Sequence, residues 1–368
     1  MQFEIDQSSL HAALALAATV ADQRASMQVL GNVLLEADSA GTVTCRATDM
    51  MLFVTESFPA QVTRAGSISL GVRHLHELVK ALPAGKLTFE RLDNHWAHIT
   101  TARSDFKLMG MPQHDFPEAP RSDALTFTPA SAKALGDLIT RVVFSVSTDE
   151  SRVNLNGALF ECDGAQATMV STDGHRLTKY SCPFAGPDLT ERGGVVIPRR
   201  GLIEMRRVLD RIADEIELAV SDEHLFLRGD NLSLCCKLTT VAFPPYDQVI
   251  PTAHQRYIEA DRSELVGLLK QAEVLAPEKT ATIRLELAAG QLKLTADNPE
   301  LGVGHQEMEV DYDGDAFAAG FNARYLIEGL DGVACERIRL EFQGELDPCV
   351  VRPVDGPEYL AVVMPMRI

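Results

Sequence analysis

Alternation in QFEIDQSSLHAALALAATV, read from Gln2, gives way to a helical spacing in which Leu10 and Leu14 stand one turn apart. That pattern predicts a strand running into an amphipathic helix. It returns twice, in LTFTPASAKALGDLITRVV from Leu125 with Leu135 and Ile139, and in YIEADRSELVGLLKQAEVL from Tyr257 with Leu265 and Leu269. A second signal follows each time: a hairpin whose return strand alternates and stops at a small polar turn, in VTCRATDM, ATMVSTDG and LKLTADNP. The alternation points Val43, Cys45 and Ala47, then Ala167, Met169 and Ser171, then Leu292, Leu294 and Ala296 inward. The turn residues Asp49, Asp173 and Asn298 lie 124 and 125 positions apart.

A third signal is a helix opening on arginine, in VRHLHEL from Val72, RRGLIEM from Arg199 and ARYLIEG from Ala323. Arg73, Arg200 and Arg324 are 127 and 124 positions apart, so a whole unit of strand, helix, strands, helix, strands is repeated. The chain therefore reads as α+β, with three copies of one domain. Proline-rich stretches, MPQHDFPEAPRSD from Met111 and FPPYDQVIPTAHQ from Phe243, suit linkers because proline removes ladder donors. The expected domains are 1–122, 123–251 and 252–368.

Length alone, 368 residues, already asks for more than one core. The chain lacks a run of eighteen uncharged apolar residues, and its start, MQFEIDQSSL, is acidic where a secretory signal would be basic; a cytoplasmic protein is expected. Seven cysteines without a CxxC pair suggest buried thiols and neither a disulfide framework nor a zinc site. No third histidine or cysteine joins His74, His76 and Glu77 at metal spacing, so a solvated helix face is expected there and no metal. Neither GxGxxG nor GxxxxGK[ST] occurs, and no cofactor is expected.

Charge changes the picture in two directions. With 34 basic against 52 acidic residues the net charge is −18, which opposes indiscriminate adsorption to phosphate backbones. Residues 199–211, RRGLIEMRRVLDR, nevertheless hold five arginines against two acids. Arg199, Arg200, Arg206, Arg207 and Arg211 can face phosphates, or form a helix solvated by its own charges. The run STDGHRL, residues 171–177, clusters Asp173, His175 and Arg176, and an Asp and His pair can orient a general base. It lacks a nucleophile signature, and the matching turns of the other two repeats lack the histidine, so no catalytic residue is expected. The apolar tail YLAVVMPMRI reads as a last core strand, part of a docking groove, or both.

Together with the repeats, LGN at Leu30 to Asn32, STDGHRL, IPRRG from Ile197, FPPYDQVIP, FNARYL from Phe321 and the terminal VVMPMRI resemble the bacterial DNA polymerase III β clamps from end to end. The resemblance implies three clamp-type domains, each with two helices on an inner face and antiparallel sheets outside, and a ring-shaped head-to-tail homodimer around duplex DNA. It implies a non-enzymatic processivity factor that tethers the polymerase catalytic subunit, the clamp loader, other polymerases and repair proteins. It implies no membrane partner. The clients' short peptides would dock on Leu155, Thr172, Gly174, His175, Arg176, Leu177, Pro244, Val249, Val362, Met364, Pro365, Met366 and Arg367. Arg24, Arg73, Arg152, Arg199 and Arg200 would contact phosphates, and Phe106, Leu108 and Arg103 would meet Val274 and Leu275 of a second copy. Two positions depart from the family pattern. Arg152, Val153 and Asn154 stand where relatives can carry two stacking tyrosines, and Gln248 stands where an arginine can occur.

Overall fold

A computed structural model describes residues 1–367. The described chain holds six α-helices: α1 (Gln7–Val20), α2 (Val72–Ala81), α3 (Ala132–Val142), α4 (Arg199–Leu209), α5 (Arg262–Leu275) and α6 (Ala323–Asp331). Each repeat contributes two of them, one after a short strand and one opening on or next to the expected arginine. Local chemistry starts α5 and α6 cleanly. Asp261 accepts from the Glu264 N–H at 2.8 Å, and Asn322 accepts from Tyr325 N–H at 3.2 Å, each satisfying an amide that the first turn leaves over. The paired leucines and isoleucine of the first signal, from Leu10 to Leu269, are buried.

Packing divides the chain into two compact units that cut through the middle repeat. The first comprises residues 1–133 and 200–238, the second residues 134–199 and 239 onward. In the first, thirteen strands form one antiparallel sheet. Its continuity between repeats rests on Leu232–Lys237 pairing with Leu52–Pro59, with Cys235 opposite Phe53. Helices α1 and α2 pack together in this unit, α1 lying over Thr42–Thr48 and Leu52–Pro59.

The second unit repeats that join. Arg176–Pro183 pairs with Tyr359–Val363, setting Leu177 opposite Val362 inside an eight-stranded sheet. The two junction pairs are offset by 124 and 127 positions, the same periods found in the sequence repeats. A further four-stranded sheet runs Gly302–Glu309, Gln291–Asn298, Thr282–Ala288 and Phe317–Asn322, with α5 packed on its first two strands and α6 against α5.

All nine residues expected to point inward on the return strands are buried. Ser171 tolerates this because its hydroxyl donates to the Val142 carbonyl at 2.6 Å. The outward alternation fails in two places: Thr48 is buried, its hydroxyl accepting from Met50 N–H at 2.9 Å, and Val170 is the other. Val170 is as buried as Met169, since Phe243, Tyr246 and Ile250 of the linker lie on the other face of the sheet. The linker is thus irregular in backbone but apolar in function. All seven cysteines are free thiols, and all except the half-buried Cys335 are buried. Loss of hydration pushes the Cys235 thiol up to about 12, and those of Cys45, Cys236 and Cys349 higher still, which leaves them unreactive at neutral pH.

Candidate functional site

In the second unit a cavity of about 530 Å³ opens beside the junction of the eight-stranded sheet. Its walls are Leu155, Thr172, Gly174, Arg176, Leu177, Pro244, Val249, Val362 and Met364, together with Asn154, Pro245, Tyr246 and Pro348. Strand register places Leu177 beside Val362, and the linker supplies Pro244, Pro245, Tyr246 and Val249 to the wall. The lining is mostly apolar with polar groups at the rim, which suits capture of a short apolar peptide segment.

The turn at the rim is fixed by its own side chains. Gly174 has φ +87°, a region open to glycine without strain. Thr172 Oγ1 accepts from Gly174 N–H at 3.1 Å and donates to the Arg176 carbonyl at 2.6 Å. Asp173 Oδ1 accepts the N–H groups of His175 and Arg176 at 2.9 and 3.0 Å, while its Oδ2 lies 3.1 Å from Arg176 Nε. Both oxygens of Asp173 are therefore taken up in holding the turn and an arginine, an arrangement that organises structure and leaves the His175 ring at the surface.

Arg176 is the electrostatic hub of the groove. Its side chain is only 10% exposed and pairs with Asp173 and with Glu328 of α6, while the guanidinium lies 4.3 Å from the Tyr325 ring centre and 5.5 Å from that of Phe144. Burial, and secondarily the Asp173 carboxylate, raise the Tyr325 phenol above its ordinary range. Tyr246 is raised likewise, first by burial and then by Glu161, whose Oε2 accepts its hydroxyl proton at 3.0 Å. It stays a neutral donor and keeps the linker against the sheet.

Four of the residues named for the groove stand outside the cavity wall. His175 contributes its backbone, accepting from Met364 N–H at 2.9 Å. Met366 donates its N–H to the Gly320 carbonyl at 2.8 Å, so Pro365, Met366 and Arg367 continue along the edge of Phe317–Asn322. Conversely, Asn154, Pro245, Tyr246 and Pro348 line the cavity although the sequence reading did not select them. Pro245 and Tyr246 sat inside the motif FPPYDQVIP, whereas Pro348 comes from a loop with no distinguishing signal.

The arginines divide between the two units. Arg24, Arg73 and Arg200 are exposed in the first. Arg152 is exposed in the second, 3.1 Å from the Asp173 carbonyl and 3.6 Å from Asp149, and Arg199 is half-buried with its backbone N–H on Asn156. The basic run on and just beyond α4 is largely answered by acids. Arg200 pairs with Asp49 at 2.8 Å, Arg206 with Asp210, Arg207 with Glu204 and Arg211 with Glu56.

Each unit also presents an apolar strand edge. Asp105–Met111 pairs with Trp96–Thr100 through residues 105–109 but with Gly66–Gly71 only at residues 110 and 111, which leaves most of one side open. Phe106 and Met109 are exposed on it, Leu108 is half-buried, and Arg103 is exposed just before it. In the second unit Gly302–Glu309 is an edge strand that carries exposed Val303 and is flanked by exposed Val274 and Leu301. Leu275 lies over this strand, so close that a methyl on Gly304 would come 2.8 Å from its Cδ1. Met109, Leu301 and Val303 were not legible as surface residues, because edge position is decided by long-range pairing.

Models of the DNA polymerase III beta subunit match the chain in three successive parts: the N-terminal domain over residues 1–120, the central domain over 130–245 and the C-terminal domain over 247–367. The beta sliding clamp of Pseudomonas aeruginosa is 32% identical over the full length of both chains, and that of Escherichia coli K12 is 29% identical, again over both full lengths. Among solved structures, a sliding clamp, DNA polymerase III subunit beta, from Bartonella birtlesii bound to griselimycin matches with TM-score 0.94 at 28% identity. The DNA polymerase III subunit beta from Pseudomonas aeruginosa matches with TM-score 0.90 at 28% identity; both cover each chain completely.

Proposed function

The chain belongs to the DNA polymerase III beta subunit family, the beta sliding clamps, and from that premise we propose that two copies close head to tail into a ring around duplex DNA. It is a polymerase processivity factor. The observation that carries this reading is the match of all three clamp domains in succession along the chain, joined to an apolar cavity at the junction of the second and third. We take the domains as 1–122, 123–251 and 252–368, and the protein as a cytoplasmic one that performs no chemistry of its own.

The mechanism is topological. A closed ring leaves DNA only through an end or by opening, whatever the lifetime of individual phosphate contacts. Arg24, Arg73, Arg152 and Arg199 meet the backbone without reading bases, while Arg200 stands beside them paired to Asp49, so the ring moves along the duplex. A head-to-tail interface forms a closed assembly when its rotation divides the circle, and three similar domains per chain make two copies sufficient. The open edge at residues 105–109 and the edge strand Gly302–Glu309 supply unpaired backbone groups and exposed apolar side chains for that joint, with Phe106 and Leu108 against Val274 and Leu275 of a second copy. Replicative and repair polymerases and the clamp loader dock through short peptides in the cavity, with Leu177, Val362 and Met364 receiving the apolar anchors and Pro365, Met366 and Arg367 extending the surface.

Deleting residues 364–368 tests the groove. Loss of Met364 opens the cavity wall and removes its bond to His175. Affinity for a fluorescent peptide carrying the polymerase subunit's clamp-binding tail is expected to fall at least ~30-fold, the loss of about 2 kcal/mol that defines a hot spot. Sedimentation should show the same assembly size. Undiminished peptide affinity places the docking site elsewhere.

A further inference from the structure

We propose that Asp49 is a positioning residue that holds Arg200 on the protein surface and withholds its charge from DNA phosphates; the proposal rests on the reading of the chain as a DNA-encircling clamp. The three repeats allow the turn-forming role of this position to be separated from its charge. Asp49 Oδ1 accepts from the N–H groups of Met51 and Leu52 at 2.9 and 2.7 Å. Asp173 does the same for its turn, and in the third repeat the neutral Asn298 accepts from Glu300 N–H at 3.0 Å. A neutral oxygen therefore accepts at the equivalent position, in a turn one residue longer and with one N–H where each carboxylate takes two. The carboxylate at residue 49 is free to do something else with its second oxygen.

That oxygen faces Arg200. Asp49 Oδ2 lies 2.8 Å from Arg200 Nη1, with the Asp49 side chain 4% exposed and that of Arg200 half exposed. Arg200 Nη2 donates in addition to the Val20 carbonyl at 2.9 Å. Arg200 stands in the first turn of α4, where the positive end of the helix dipole disfavours a cation, and the nearly buried carboxylate offsets that cost. A phosphate approaching Arg200 must compete with a carboxylate that loses little hydration by staying paired. The same device recurs farther along, where Glu204 and Glu56, both nearly buried, hold Arg207 and Arg211. A ring that must slide gains from arginines whose grip on phosphate is kept weak.

The substitution Asp49→Asn retains the Oδ1 acceptor that the turn needs and turns an N–H donor toward Arg200, which releases the guanidinium. Binding of the full-length protein to a short fluorescent duplex, titrated from low to moderate salt, is the readout. The log–log salt slope is expected to steepen by about 0.9 in Asp49→Asn, the increment for one additional phosphate contact. Arg200→Gln alone should leave the slope nearly unchanged, and Asp49→Asn should have no effect in the Arg200→Gln background. An equal steepening in both backgrounds, as a long-range change of field would give, overturns the proposal. So does a flat response to Asp49→Asn in a well-folded protein. The Arg200→Gln arm stands independently of how the Asp49 variant folds, because a drop of about 0.9 there means Arg200 already sits on phosphate. If the unaltered protein is retained on circular DNA while these slopes fail, Asp49 has no such role; if the loaded protein is not retained on circular DNA either, the clamp reading beneath the proposal is wrong.

Discussion

Replacing Phe106 with aspartate is expected to yield a folded, monomeric chain. Phe106 is already 39% exposed within the protomer and stands on an open strand edge, so the substitution costs the isolated fold little. At the proposed joint it would bring a carboxylate against Val274 and Leu275, whose apolar side chains offer it no hydrogen bond. Loss of a central aromatic contact together with a desolvated charge should weaken association by more than about 2 kcal/mol, at least ~30-fold in dissociation constant. Sedimentation equilibrium measures it directly, and Val303→Asp on the other edge should do the same. A Phe106→Asp protein that sediments like the parent puts the joint on another surface.

Arg176→Met carries the second large effect, on stability. The substitution keeps much of the side-chain volume but strips Asp173 and Glu328 of their shared cation. Breaking a buried pair typically costs 3–5 kcal/mol; here the figure is nearer about 3, because Glu328 is 45% exposed and regains water. The molecule supplies its own reporters. All six tyrosines lie in the second unit, whereas the single tryptophan, Trp96, lies in the first. In urea the tyrosine signal should unfold at a clearly lower midpoint in Arg176→Met, while the Trp96 transition stays near its original place. Coincident shifts of both signals would mean that Arg176 does not act locally.

Helix positions, the buried faces of the three return strands and the repeat itself were readable from sequence because each depends on spacing within one segment. Leu10 with Leu14 or Val43 with Cys45 needs no partner to declare its side. The groove was readable in part for a different reason: TDGHRL and VVMPMRI are distinctive strings, and strand pairing then sets Leu177 against Val362. What escaped was long-range. Val170 looked outward until the linker residues Phe243, Tyr246 and Ile250 covered it. Pro348 reaches the cavity from a loop, Met109 is exposed because its strand pairs with Gly66–Gly71 only at residues 110 and 111, and Val303 because its strand ends a sheet. The charges of α4 were legible, but not their neutralisation, since Asp49 and Glu56 lie some 150 positions away in the chain.

Retention on DNA tests the central claim most directly. Loaded onto a nicked circular duplex, the protein should remain bound through washing at a salt concentration that abolishes ordinary phosphate contacts, and it should be lost once the same circle is cut to a linear molecule. Equal loss from circle and linear DNA, or equal retention on both, would contradict a ring that holds its template by enclosure.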